Sequence, residues 1–141
     1  MFSPLRGMLI LPVNKTGVII VEMQNSSLKL VRQRKELLTR ELQKIVSFLI
    51  ENYRPEKIIL FGSLASGEVK EESDIDLLLI KNSDKRPLER AMEVMELLGY
   101  PRVALDIFVY TPEEIEYLRK EGSHFIEDIL ERGKVLYEKN H

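Results

Sequence analysis

Hydrophobic and polar positions change their period several times along the chain, and each change marks an element. Val31, Leu38, Leu42, Ile45, Val46, Leu49 and Tyr53 recur at steps of three and four, the stripe of an amphipathic helix. Ser26 or Ser27 is placed to cap this helix, and Pro55 to end it. Lys57–Phe61, Ile75–Ile80, Val103–Tyr110 and Lys134–Glu138 are short β-branched or continuously apolar runs and predict four strands. Between them, Pro87 suits the first turn of a helix carrying Leu88, Met92, Met95 and Leu98 and stopped at Gly99. Asp84 is a candidate cap for that helix. Thr111-Pro-Glu-Glu114 has the form of a capping box, and His124–Arg132, closed by Gly133, predicts a last helix. The order is an α/β arrangement: one mixed sheet packed against helices. Ahead of it, Met8–Val13 and Val18–Met23 are β-prone runs joined by Asn14-Lys-Thr-Gly17. They predict a β-hairpin extension over residues 1–26, leaving 27–141 as the main domain.

Composition narrows the function classes. The chain has 141 residues, 21 Lys+Arg against 23 Asp+Glu, and no Cys. One domain with a small extension is the expectation for that length. A formal charge of -2 argues against direct nucleic-acid binding through a broad basic surface. The cations Lys29, Arg32, Arg34, Lys35, Arg40 and Lys44 are interleaved with Glu36 and Glu41, as on a solvated helix face. Without Cys there is neither a disulfide framework nor a thiolate zinc site. No apolar run is long enough to span a bilayer, and Met-Phe-Ser-Pro-Leu-Arg lacks the order of a signal peptide. A cytoplasmic protein without membrane association is the expectation.

The acids divide unevenly into 18 Glu and 5 Asp, so the position of each Asp is informative. Strand Lys57–Phe61 runs into Gly62-Ser63; ten residues later Asp74-Ile-Asp76 opens the next strand. Alternation places Asp74 and Asp76 on one face, their Cα atoms roughly 6–7 Å apart. Asp106 lies inside the apolar run Leu105–Val109. If its strand neighbours Ile75–Ile80, three carboxylates cluster. Two charges ~4 Å apart repel by ~4 kcal/mol at an effective dielectric near 20, so such a cluster holds a proton or a cation. All-oxygen donors suit Mg²⁺, with Mn²⁺ the alternative. Gly62 allows close backbone approach, and N–H groups with the Ser63 hydroxyl can hold phosphate oxygens.

At these residues the chain resembles the DNA polymerase β-like nucleotidyltransferases, and within them the minimal nucleotidyltransferases. The motifs are Gly62-Ser-x-Ala-x-Gly67, Ser73-Asp-Ile-Asp-Leu-Leu78 and Asp106, within a resemblance covering about residues 40–140. It implies transfer of AMP from ATP to a hydroxyl, with Asp74, Asp76 and Asp106 holding two Mg²⁺ ions and Gly62 and Ser63 anchoring phosphates. Many minimal members resemble antitoxins that adenylylate a tyrosine of a helical HEPN-type toxin. A binding antitoxin without chemistry and an aminoglycoside-type small-molecule adenylyltransferase are the alternative readings. Leu64 and Ser66 stand where members often carry Arg, and the loop adds Glu68, Glu71 and Glu72. The hairpin's edge strand would serve a partner or a second copy, giving a homo-oligomer.

Overall fold

The computed structural model describes the backbone of residues 17–140 and the side chains from residue 26 to residue 140. The chain divides into two compact units, residues 1–36 and 37–141. The first described element is α1, Gly17–Asn52. It corrects the expected hairpin, because Val18–Met23 is helical rather than a strand; the other arm, Met8–Val13, lies outside the described residues. The β preference of Val-Ile-Ile-Val is worth only fractions of a kcal/mol per residue. No Pro or Gly interrupts residues 18–52, so nothing stops the helix where Ser26 and Ser27 were expected to start it.

Within the second unit, Leu38, Ile45 and Leu49 of α1 and Tyr53 just after it are buried, four members of the expected stripe. Then follow β1 (Lys57–Phe61), the one-turn α2 (Gly62–Ser66), β2 (Ile75–Ile80), α3 (Pro87–Leu98) and β3 (Leu105–Tyr110). The chain continues through α4 (Pro112–Lys120), α5 (His124–Arg132) and β4 (Lys134–Glu138). The sheet order is β3-β2-β1-β4. β1 pairs antiparallel with β2 and β4, whereas β2 and β3 run parallel, so the sheet is mixed as expected.

Both faces of the sheet are covered. Ile59, Leu78 and Ile80 pack with Ile115 of α4 and with Ile126 and Ile129 of α5. On the other face Ile58, Leu60, Ile75, Leu77 and Leu79 are buried. This explains why β2 reads as an almost unbroken apolar run, with Asp76 the one residue not fully buried.

The helix starts are chemically defined. Thr111 Oγ1 accepts from the Glu114 N–H at 3.1 Å while Glu114 Oε1 accepts from the Thr111 N–H at 2.9 Å, as the capping box predicts. Pro87 opens α3, but the residue at its cap is Arg86 and not Asp84. Glu89 satisfies the Arg86 N–H at 3.0 Å, so the helix begins beyond Asp84's reach. Arg90 is 3% exposed, its guanidinium bridged to Glu114 at 2.6 and 3.1 Å and to the Val109 carbonyl at 3.1 Å. That ties α3, β3 and α4 together. Lys81 donates to the Tyr53 carbonyl and stands 4.0 Å from the centre of its ring. Burial lowers the Lys81 pKa and, with the nearby Glu93 charge, pushes the Tyr53 phenol up to about 12.

Candidate active site

Strand register builds the site. Phe61 at the end of β1 is opposite Asp76, and Asp76 is opposite Asp106 on parallel β3. Adjacent strands lie about 4.8 Å apart, and residues in register point to the same face. Asp76 and Asp106 therefore meet directly beside the β1–α2 corner. Asp74 lies just before β2, half-buried like Asp76, while Asp106 is exposed.

The electrostatics report the crowding. Burial, then the Asp106 charge and a hydrogen bond between the two carboxyl groups, then the Asp74 charge raise the Asp76 pKa to about 6. Of the expected trio, the structure joins Asp76 to Asp106; Asp74 acts on Asp76 through its charge. Among the described residues, no three His, Cys, Asp or Glu side chains stand as a finished ligand cage.

The residues nevertheless fit a hard divalent cation. The donors are carboxylate oxygens, and the like-charge repulsion they carry is what a cation relieves. Space is also reserved at the carboxylate: Gly62 has φ +76°, and a Cβ there would collide with Asp76 Oδ2. Glycine is required at this position both by its backbone conformation and by its neighbour.

The loop after Gly62 is tied down from within. Ser63 Oγ donates to Ser73 Oγ at 3.0 Å, and Ser73 Oγ also accepts the Lys70 N–H at 2.7 Å. The Gly67 N–H reaches the Ser63 carbonyl at 3.0 Å, with Gly67 at φ +87° ending the turn. Leu64, Ala65 and Val69 anchor the loop in the core, leaving Glu68, Glu71 and Glu72 outside. Leu64 is thus a packing residue, and Ser66 turns its hydroxyl back onto the Ser63 carbonyl at 3.2 Å. Ser63 and Ser73 are one hydrogen-bonded unit; only Ser63 was singled out from the sequence as a phosphate contact.

A second group was not legible from spacing. Phe61, Phe108 and Phe125 contact one another with ring centroids 5.2–5.9 Å apart, on the same sheet face as Asp76 and Asp106. A short period finds neighbours two to four residues apart, whereas these rings come from β1, β3 and α5.

No helix among the described residues is long and apolar enough to cross a membrane. Residues 43–141 match the family described as polymerase beta, nucleotidyltransferase. The chain is 34% identical over 101 residues to "Putative protein adenylyltransferase MJ0604" of Methanocaldococcus jannaschii, covering 70% of this chain and 96% of the relative. A second protein of that organism, "Putative protein adenylyltransferase MJ0141", is 26% identical over 94 residues, covering 67% of this chain and 90% of its own length. In fold, the chain is similar to a solved structure described as a "putative nucleotidyltransferase" from Sulfolobus solfataricus. The TM-score is 0.55 at 16% identity, over 78% of this chain and 88% of that one. With the match extending over most of its length, the chain belongs to the polymerase β nucleotidyltransferase family.

Proposed function

We propose that this nucleotidyltransferase moves AMP from ATP, with divalent metal, onto a hydroxyl of a partner protein. The observation that carries the reading is the register Phe61–Asp76–Asp106, which sets two joined carboxylates against the Gly62-Ser63 corner. Asp74, Asp76 and Asp106 would hold Mg²⁺ or Mn²⁺, which when bound neutralises phosphate charge and acidifies the acceptor hydroxyl.

The chain's own groups do the rest. Gly62 lets the backbone lie close against the Asp76 carboxylate, and backbone N–H groups at the start of α2 donate to the phosphate oxygens. Ser73 holds the Ser63 hydroxyl and the Lys70 N–H in place, so the phosphate loop is preorganised. Asp106, the exposed member of the pair, takes the proton of the acceptor hydroxyl. The acceptor oxygen bonds to the α-phosphorus as the bond to the β-phosphate bridging oxygen breaks, and pyrophosphate leaves in line.

A protein acceptor is supported by the names of the two relatives and by the small size of the domain. Cavities of about 320 Å³ beside Arg54 and Tyr137 and about 310 Å³ beside Met92 and Tyr100 are not lined by Asp74, Asp76 or Asp106. A macromolecule that brings its own hydroxyl needs no deep acceptor pocket. The acceptor class we assign is a tyrosine of a HEPN-type toxin, which makes this chain its antitoxin.

The test is incubation of co-purified partner with ATP labelled at the α-phosphate and Mg²⁺. Label on the partner with wild type, and none with Asp74→Asn or Asp76→Asn, is the expected result. Toxin neutralisation that survives both substitutions identifies occlusion without chemistry. Label found only on an added aminoglycoside or other small alcohol identifies a small-molecule enzyme.

A further inference from the structure

Phe61, Phe108 and Phe125 form one aromatic cluster beside the acidic site. Ile126, 0% exposed, and Ile129, 2% exposed, already seat α5 on the sheet. Phe125 is 42% exposed, and Phe61 and Phe108 are only partly covered. Phe125 meets Phe61 at 88° and Phe108 at 63°, so two neighbours fix the attitude of its ring while much of its surface stays open.

Its position relative to the acids is set by the strands. Phe108 follows Asp106 by two residues on β3, and Phe61 is in register with Asp76. All these side chains share one face, and Phe61 is the residue immediately before Gly62. An open aromatic surface thus begins one residue from the phosphate corner and runs alongside the carboxylates.

We propose that Phe125, supported by Phe61 and Phe108, is the stacking platform for the nucleobase of the bound nucleoside triphosphate. This rests on the nucleotide reading of the acidic site and extends it to the other end of the same ligand. The rings carry no charge, and a nucleoside triphosphate has one neutral, flat, apolar-faced part. That part is covalently attached to the phosphates seated next door, which makes the base the natural occupant of a shelf continuous with Gly62. Stacking on phenylalanine uses the π-face that every base presents, so it needs no hydrogen-bonding partner in this chain.

Isothermal titration in Mg²⁺ buffer separates the two halves of the ligand, with ATP and inorganic tripolyphosphate as probes. For Phe125→Ala we expect a roughly tenfold loss of ATP affinity with tripolyphosphate affinity unchanged, and recovery in Phe125→Trp. Because Phe125 is 42% exposed and its ring contacts are with Phe61 and Phe108, the variant should still fold, with a modestly lowered melting temperature that Phe125→Trp restores. An ATP affinity within twofold of wild type in Phe125→Ala overturns the platform, as does equal weakening of both probes. Wild type that binds tripolyphosphate as tightly as ATP overturns it too, yet leaves the phosphate site standing. Wild type that binds neither probe, and Asp76→Asn indistinguishable from it, overturns the nucleotide reading together with the platform.

Discussion

Replacing Asp76 by Asn should make the protein more stable while removing its activity. The folded-state pKa of Asp76 is about 6 against an ordinary value of 3.8, because burial and the Asp106 and Asp74 carboxylates penalise its charge. Below pH 4 the carboxyl is protonated in both folded and unfolded chains and costs nothing. Between pH 4 and 6 the unfolded chain ionises first, so stability falls as pH rises; above pH 6 the full penalty persists. A shift of about two units corresponds to a ceiling of about 3 kcal/mol. Asp76 is only half-buried, so solvent screening reduces the gain to about 1 kcal/mol. For a domain of this size that raises the melting temperature by about 3–5 °C. Thermal melts without divalent ions at pH 7.5 and pH 4 measure it: Asp76→Asn should melt above wild type at pH 7.5, and the gap should close at pH 4. Adding Mg²⁺ should raise the wild-type melting temperature by mass action and leave the variant's unchanged. A variant that melts below wild type at pH 7.5, or a gap that widens toward pH 4, would refute this electrostatic reasoning.

Gly62→Ala should fold with a loss of about 1–2 kcal/mol from its positive φ, and the collision with Asp76 should reduce nucleotidyl transfer at least a hundredfold in single-turnover assays. Ser73→Ala removes the acceptor of both Ser63 Oγ and the Lys70 N–H; about 1–2 kcal/mol of stability and a several-fold higher KM for ATP are the expected losses in urea melts and steady-state kinetics. Glu114→Gln leaves the buried Arg90 short of its charge partner and should cost about 3 kcal/mol in the same melts. Since Arg90 holds the Glu114 pKa below its ordinary 4.5, the pair's contribution is present above that pH and fades as acid protonates Glu114. Glu114→Gln should accordingly flatten the acid limb of the stability profile.

The parts of this molecule that could be read from sequence are those set by neighbours in the chain. Asp74-Ile-Asp76 follows from the two-residue repeat of a strand, and the Thr111–Glu114 box from the geometry of a first helical turn. Asp106 was suspect because a lone carboxylate in an apolar strand needs a reason, yet its meeting with Asp76 depends on β2 and β3 being neighbours. Local propensity misled at Val18–Met23, where a β-prone run lies within an uninterrupted helix. Arg90 was hidden for the opposite reason: a cation in an amphipathic helix reads as solvated, and only the fold brings it Glu114, 24 residues away. The phenylalanine cluster, like the Ser63–Ser73 link, arises from tertiary placement that no periodicity encodes.

In the proposed reaction the Asp76–Asp106 pair directs attack on the α-phosphorus of ATP by a partner's hydroxyl. Parallel reactions with ATP labelled at the α- or the γ-phosphate test this most directly, run with Mg²⁺, the co-purified partner and either wild type or Asp106→Asn. The proposed reaction puts α-label on the partner and releases γ-label as pyrophosphate, and the variant should do neither. Transfer of the γ-label to the partner, or α-labelling that persists in Asp106→Asn, would contradict it.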